Sequence, residues 1–173
     1  MVEVTVARVG VDSSTNSYVV ILREKQGSRL LPIWIGQPEA ESIVMQMNQV
    51  KQLRPQTHDL CKALITSLGG TLRRVTITHV HKNTYFAEMH VESSAGWVQI
   101  DARPSDSIAI ALRFDAPIFA EDSLLSTLEA DSDDEQAGYD LSMTQLPREE
   151  MTAEQLKAYL ATLRPEDFGK FKP

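Results

Sequence analysis

The spacing of apolar residues changes at Gly36-Gln37-Pro38, and that change constrains the fold more than any other feature of the chain. Before it, Val2, Val4 and Val6 alternate with Glu3 and Thr5, and Val9 extends the pattern on the far side of Arg8. A period of two with β-branched residues is the signature of a half-buried strand. Tyr18 to Arg23 and Leu30 to Ile35 repeat the run, separated by the polar turns Asp12 to Ser17 and Glu24 to Arg29, so the opening reads as a β-meander. After it, Pro38 suits a first helical turn, and Glu39 and Glu41 sit where the helix dipole favours carboxylates. Ala40, Ile43, Val44 and Met47 then follow at helical spacing.

The same two periods alternate through the rest of the body. Thr57 is the expected N-cap of a second helix, with Asp59 in its first turn. Leu60, Leu64, Ile65 and Leu68 form its apolar stripe, and Gly69-Gly70 ends it. Arg74 to His81 and Tyr85 to Glu92 read as a hairpin whose hydrophobic register leaves Lys82-Asn83-Thr84 as the loop. Trp97 to Asp101 is a further strand, Ser107 to Arg113 a third helix, Pro117 to Ala120 a short strand and Asp122 to Leu128 a final helix. The pattern predicts a single α+β domain over residues 1–128, with a mixed or antiparallel sheet core and three to four helices. Residues 129–150 read as an acidic flexible linker, since five of the seven residues from Glu129 to Glu135 are acidic. Residues 151–173 read as a C-terminal helical tail. Thr152 and Gln155 resemble a capping box, and Leu156, Tyr159, Leu160 and Leu163 share one face.

Composition narrows the function classes. At 173 residues and 42% hydrophobic content the chain can bury a sizeable core without disulfides or structural metals. A lone cysteine, Cys61, excludes an intramolecular disulfide and a cysteine-based zinc cluster, and suits a reducing compartment. The apolar runs fall far short of the roughly 18 residues of a membrane span, and no basic start with an apolar block reads as an export signal. The expected location is the cytoplasm. The net charge of −7 is divided unevenly: residues 1–114 hold 12 Lys and Arg against 10 Asp and Glu, whereas residues 115–173 hold 5 against 14. A nearly neutral body lacks the basic field of sequence-independent nucleic-acid binders, so any nucleic acid must be held by a few placed cations.

Two segments share a grammar that suits such placement. Arg54-Pro55-Gln56-Thr57-His58-Asp59 opens the second helix and Asp101-Ala102-Arg103-Pro104-Ser105-Asp106 opens the third. Each sets an arginine before a proline, then a hydroxyl, then an aspartate. Proline biases the preceding residue away from helical geometry, which lets the guanidinium project beside the helix start and its open N–H groups. Arg54, Thr57, Arg103 and Ser105 are therefore candidate phosphate or substrate contacts. Asp59, Asp101 and Asp106 are candidate ligands of a hard divalent ion such as Mg²⁺ or Mn²⁺, or candidate bases, and His58 is a candidate proton shuttle. The competing reading of the same residues is structural: hydroxyl caps, carboxylates on helix dipoles, and arginines in ordinary ion pairs.

The remaining polar residues carry less. The hairpin register puts His79 and His81 on the face of Val75 and Ile77, opposite Ala87 and Tyr85, at the edge of the core. Two histidines without a third ligand do not make a zinc site. Glu39 and Glu41 do not face the same way on a helix, and Cys61 reads as packing.

Three blocks together resemble the bifunctional nuclease domain family. They are Leu31-Pro32-Ile33-Trp34-Ile35-Gly36 with Glu39-Ala40; Arg54-Pro55 with Thr57-His58-Asp59-Leu60; and Asp101-Ala102-Arg103-Pro104-Ser105-Asp106-Ser107-Ile108-Ala109. The resemblance covers about residues 1–128 and leaves the acidic linker and tail outside. It implies an α+β fold, assembly as a homodimer or higher homo-oligomer, and a nuclease (hydrolase) acting as both DNase and RNase. On that reading His58, Asp59, Asp101 and Asp106 are catalytic candidates, Arg54, Thr57, Arg103 and Ser105 bind substrate, and no membrane is involved. The alternative is a non-catalytic regulatory module that recognises a phosphorylated or carboxylated small molecule.

Overall fold

A computed structural model describes residues 1–12 and 15–127, together with the backbone of 139–140. The expected acidic linker and C-terminal helix otherwise lie outside the described residues. The α+β class is as expected: one mixed sheet with its helices gathered around α3. In chain order the elements are β1 (Val2–Asp12), β2 (Ser17–Glu24), β3 (Leu30–Ile35), α1 (Gln37–Met47), α2 (Thr57–Ser67), β4 (Thr71–His81), β5 (Thr84–Ser93), β6 (Gly96–Ala102), α3 (Pro104–Phe114) and β7 (Ile118–Ala120). A single 3-10 turn at Asp122–Leu124 replaces the expected final helix, and a two-residue strand, β8 (Tyr139–Asp140), pairs with the far end of β1.

The strand order is β3-β2-β1-β7-β4-β5-β6. The meander supplies one antiparallel half and the β4-β5-β6 run the other. Between them lies β7, antiparallel to β1 and parallel to β4, and each pairing is three residues long. Val4, Val9, Val20, Leu22, Val75 and Ile77 project from these strands into the core and are at most 2% exposed. Ile43 and Val44 of α1 and Ile108 and Ala109 of α3 meet them from the helical side. Each such Ile or Leu contributes about 1.5–3 kcal/mol relative to an exposed position. α3 packs against both other helices and against β4 and β5, which is why eight of its eleven residues are buried.

Four expectations need correcting. α2 begins at Thr57, but its N-cap is Gln56, whose side chain and that of Asp59 bond each other's backbone N–H groups reciprocally; Thr57 is therefore the first helical residue. α3 begins at Pro104, capped by Arg103, so Ser105 lies inside the first turn. The stripe expected to bury α2 does not: Leu60 and Leu64 are each 53% exposed and Leu68 is 80% exposed, while Cys61 and Ile65 pack on the core. Finally, the hairpin turn is two residues, Lys82-Asn83, with φ of 47° and 62°. That left-handed pair matches the strand twist of a tight hairpin. Val75 accordingly opposes Met89, and irregularities at 72/74 and 77/79 set His79 opposite Phe86 and His81 opposite Thr84. Both histidines are exposed, with His79 stacked on Phe86 at 4.5 Å.

Candidate functional site

The two Arg-Pro segments converge. Pro55, Thr57 and His58 at the start of α2, and Arg103 and Asp106 at the start of α3, line one cleft of about 500 Å³ whose third wall is α1. The packing of α2 and α1 on α3 brings together residues 48 positions apart in sequence.

At its centre is a continuous chain of polar contacts. The Ser42 hydroxyl lies 2.8 Å from His58 Nδ1, and His58 Nε2 lies 3.1 Å from Asp106 Oδ1. Arg103 donates from Nε to Asp106 Oδ2 at 2.7 Å, and from Nη2 to Asp106 Oδ1 at 3.1 Å and Glu39 Oε1 at 2.7 Å. Burial pushes the Asp106 carboxyl up, but the hydrogen bonds from Arg103 and His58 and their charges outweigh it, so the group titrates below the usual carboxylate range. An ionised Asp106 has no proton to give. The Nε2 of His58 therefore carries the hydrogen of this contact, and whenever Nδ1 is unprotonated it can accept from the Ser42 hydroxyl. The order hydroxyl, imidazole, carboxylate is that of a proton relay, with the two ring nitrogens exchanged relative to the serine-protease arrangement.

Arg103 is the exposed end of this chain. Two-thirds of its side chain is open to solvent, and the Nη1 N–H groups have no partner among the described residues. Glu39 and Asp106 raise its already high pKa and hold the guanidinium extended at the cleft rim.

The other candidates sit elsewhere. Asp59 faces away from the cleft: Oδ1 accepts from Arg113 Nε at 2.5 Å and Oδ2 accepts from the Gln56 backbone N–H at 2.9 Å. Arg113, 7% exposed, also donates to the Ala109 and Ser42 carbonyls, so this ion pair clamps α2 and α1 to the end of α3. Asp101 is exposed on β6 opposite Glu88. Arg54 is exposed and outside the cleft lining, Thr57 lies on the rim, and Ser105 is buried beside a neighbouring cleft. Among the described residues no group of three or more His, Cys, Asp or Glu side chains is arranged to hold a metal ion. Asp59 and Asp106 each have both oxygens engaged, so the three aspartates do not fit a Mg²⁺ or Mn²⁺ site.

Sequence reasoning missed Ser42, Glu39 and Arg113 as partners of the site. Ser42 falls on the apolar side of α1 beside Ile43, where a buried hydroxyl needs a partner. Arg113 ends the apolar run from Ile108, which is an equivalent signal of buried charge. The Glu41 carboxylate, also on the cleft lining, accepts from Gln37.

A mixed sheet with a helix-framed cleft, in which an imidazole links a buried hydroxyl to an arginine-bound carboxylate, defines a single α+β domain built around one polar relay. The comparisons with known proteins add the family. The bifunctional nuclease domain model matches residues 20–133, and the chain belongs to that family. The uncharacterized protein Rv1829 of Mycobacterium tuberculosis is 39% identical over 171 residues, covering 97% of this chain and 98% of that protein. Bifunctional nuclease 2 of Arabidopsis thaliana is 31% identical over 106 residues, 60% of this chain and 32% of that protein. Bifunctional nuclease 1 of the same plant is 29% identical over 110 residues, 62% of this chain and 34% of that protein.

Proposed function

We propose that this protein is a nuclease that hydrolyses phosphodiester bonds in DNA and RNA at the cleft between α1, α2 and α3. The observation that carries the reading is the unbroken contact chain from Ser42 through His58 and Asp106 to the exposed Arg103. A backbone phosphate docks on the uncommitted Nη1 edge of Arg103. Water attacks phosphorus and passes its proton to Ser42 Oγ as the Ser42 proton passes to His58 Nδ1. The ester P–O bond breaks, the leaving oxygen takes a proton from solvent, and His58 returns its own to solvent. Asp106 and Glu39 are positioning residues: one orients the ring and both hold the guanidinium. No step is routed through a metal. We assign the protein to the cytoplasm, as suits an unpaired Cys61, and to a homodimer, which sedimentation velocity reads directly. Among the described residues no helix is long and apolar enough to cross a membrane.

The test uses the full-length chain and fluorogenic DNA and RNA oligonucleotides, with Mg²⁺, with Mn²⁺ and with chelator. Arg103→Ala, His58→Ala and Ser42→Ala should each lower the rate by about 10²-fold or more while thermal melting confirms a folded protein. Equal rates in wild type and all three variants would remove the assignment.

One observation favours a second reading, non-catalytic recognition of a small phosphorylated or carboxylated molecule. Three carboxylates, from Glu39, Glu41 and Asp106, line the cleft beside a single arginine, a poor surface for a polyanion. A large thermal shift with one phosphometabolite and none with oligonucleotides would establish it over hydrolysis.

A further inference from the structure

Arg103 belongs to two clefts. Besides the one already described, it borders a second of about 380 Å³, bounded by the end of β3 on one side and by the β4-β5 turn on the other. Four strands separate β3 from β5 in the sheet order, so the sheet is coiled enough for its two halves to face each other across this gap. Trp34 stands on the first wall, 48% exposed, with its indole N–H donating to Asp12 Oδ2 at 3.1 Å. That bond tethers an aromatic face that is otherwise open. Tyr85, half-buried, stands on the opposite wall. On the floor, Ser105 is 6% exposed, and its hydroxyl makes no hydrogen bond to another described residue because it opens to the cleft solvent. The side chains of Asn83 and Thr84 at the mouth are likewise unpartnered there.

A tethered indole, a second aromatic ring, and solvent-reached polar groups at the floor and rim match the chemistry of a nucleobase. Such a base needs a π-face to stack on and hydrogen-bonding groups for its edge. We propose that this cleft is a nucleobase subsite, which takes the base of the nucleotide whose phosphate sits on Arg103. The inference rests on the reading of Arg103 as the phosphate contact. It narrows the substrate class to single-stranded or unpaired nucleotides, because a base within a duplex is stacked and unavailable to the indole.

Trp34 and Trp97 are the two tryptophans of the chain, so Trp97→Phe leaves Trp34 as the sole indole reporter. Its fluorescence should be quenched by adenosine monophosphate and by a short single-stranded oligonucleotide, and left unchanged by ribose 5-phosphate, inorganic phosphate and a fully paired duplex. Trp34→Ala should weaken oligonucleotide binding by about ten- to a hundredfold, and Trp34→Phe should restore most of it. Quenching by the mononucleotide alone assigns the subsite to free nucleotides instead of a strand and overturns the substrate class. A base-bearing single-stranded oligonucleotide that binds Trp34→Ala and wild type alike overturns the subsite, whereas an abasic strand should not distinguish the two proteins. Base-dependent quenching without cleavage would leave the subsite standing and remove hydrolysis. Arg103-dependent cleavage indifferent to the base would do the reverse.

Discussion

Asp59 and Asp106 occupy equivalent places in two look-alike segments, yet their surroundings assign them different work. Asp106 meets an exposed arginine and a histidine on the wall of a cleft, whereas Asp59 meets the buried guanidinium of Arg113 and the backbone of its own helix cap. Removing one partner of a buried ion pair leaves a charge uncompensated, at about 3–5 kcal/mol when both groups are fully buried. The Asp59 carboxylate is 35% exposed, so Asp59→Ala should cost less, about 2–3 kcal/mol in urea denaturation, with activity of the folded protein retained. The pH dependence follows with a definite sign. Burial raises both carboxyls, but bonds from Arg113 and from Arg103 and His58 lower them further, and the net direction is down in each case. A carboxylate depressed in the folded state contributes stability at pH values above its unfolded pKa and loses it as pH falls through the folded one. Stability should therefore hold near neutrality and decline below about pH 4, with a shallower decline in Asp59→Ala. None of this was legible locally. The paired segments predict both aspartates alike, and only Arg113, 54 positions from Asp59, separates them.

Among the elements, those whose pattern is local agree with the sequence. The meander, the helix after Gly36 and the strand-helix-strand run from β6 to β7 follow from period and turn chemistry. Misreadings arise where a long-range partner decides. α2 carries an amphipathic stripe, but α3 meets its His58, Cys61 and Lys62 side, and Lys62 Nζ bonds the Arg113 carbonyl. The hairpin register slipped because the bulges in β4 shift the alternation without any glycine or proline to mark them. The turn itself is a weak link: Lys82 adopts a left-handed conformation that an asparagine tolerates better. Lys82→Asn should raise stability by about 0.5 kcal/mol, seen as a higher urea midpoint at unchanged slope.

For the whole molecule, charge sets the mode of nucleic-acid binding. A nearly neutral body with one exposed arginine in its cleft makes few phosphate contacts, so the logarithm of affinity should fall with the logarithm of salt at a slope of only about one to two. Ending the chain at residue 128 removes most of the acidic excess. It should raise oligonucleotide affinity at low ionic strength, with the difference fading above about 0.15 M salt. A steep slope, or no change on truncation, would locate the binding surface elsewhere. The antiparallel halves of the sheet are themselves joined through β7, whose three-residue pairings form a short seam at the middle of the molecule. Trp34 rides on one half and Tyr85 on the other, with Arg103 at the foot of α3, the helix that leads into the seam. The distance between the two aromatic walls is thus carried through β7, the strand that hydrogen-bonds both halves.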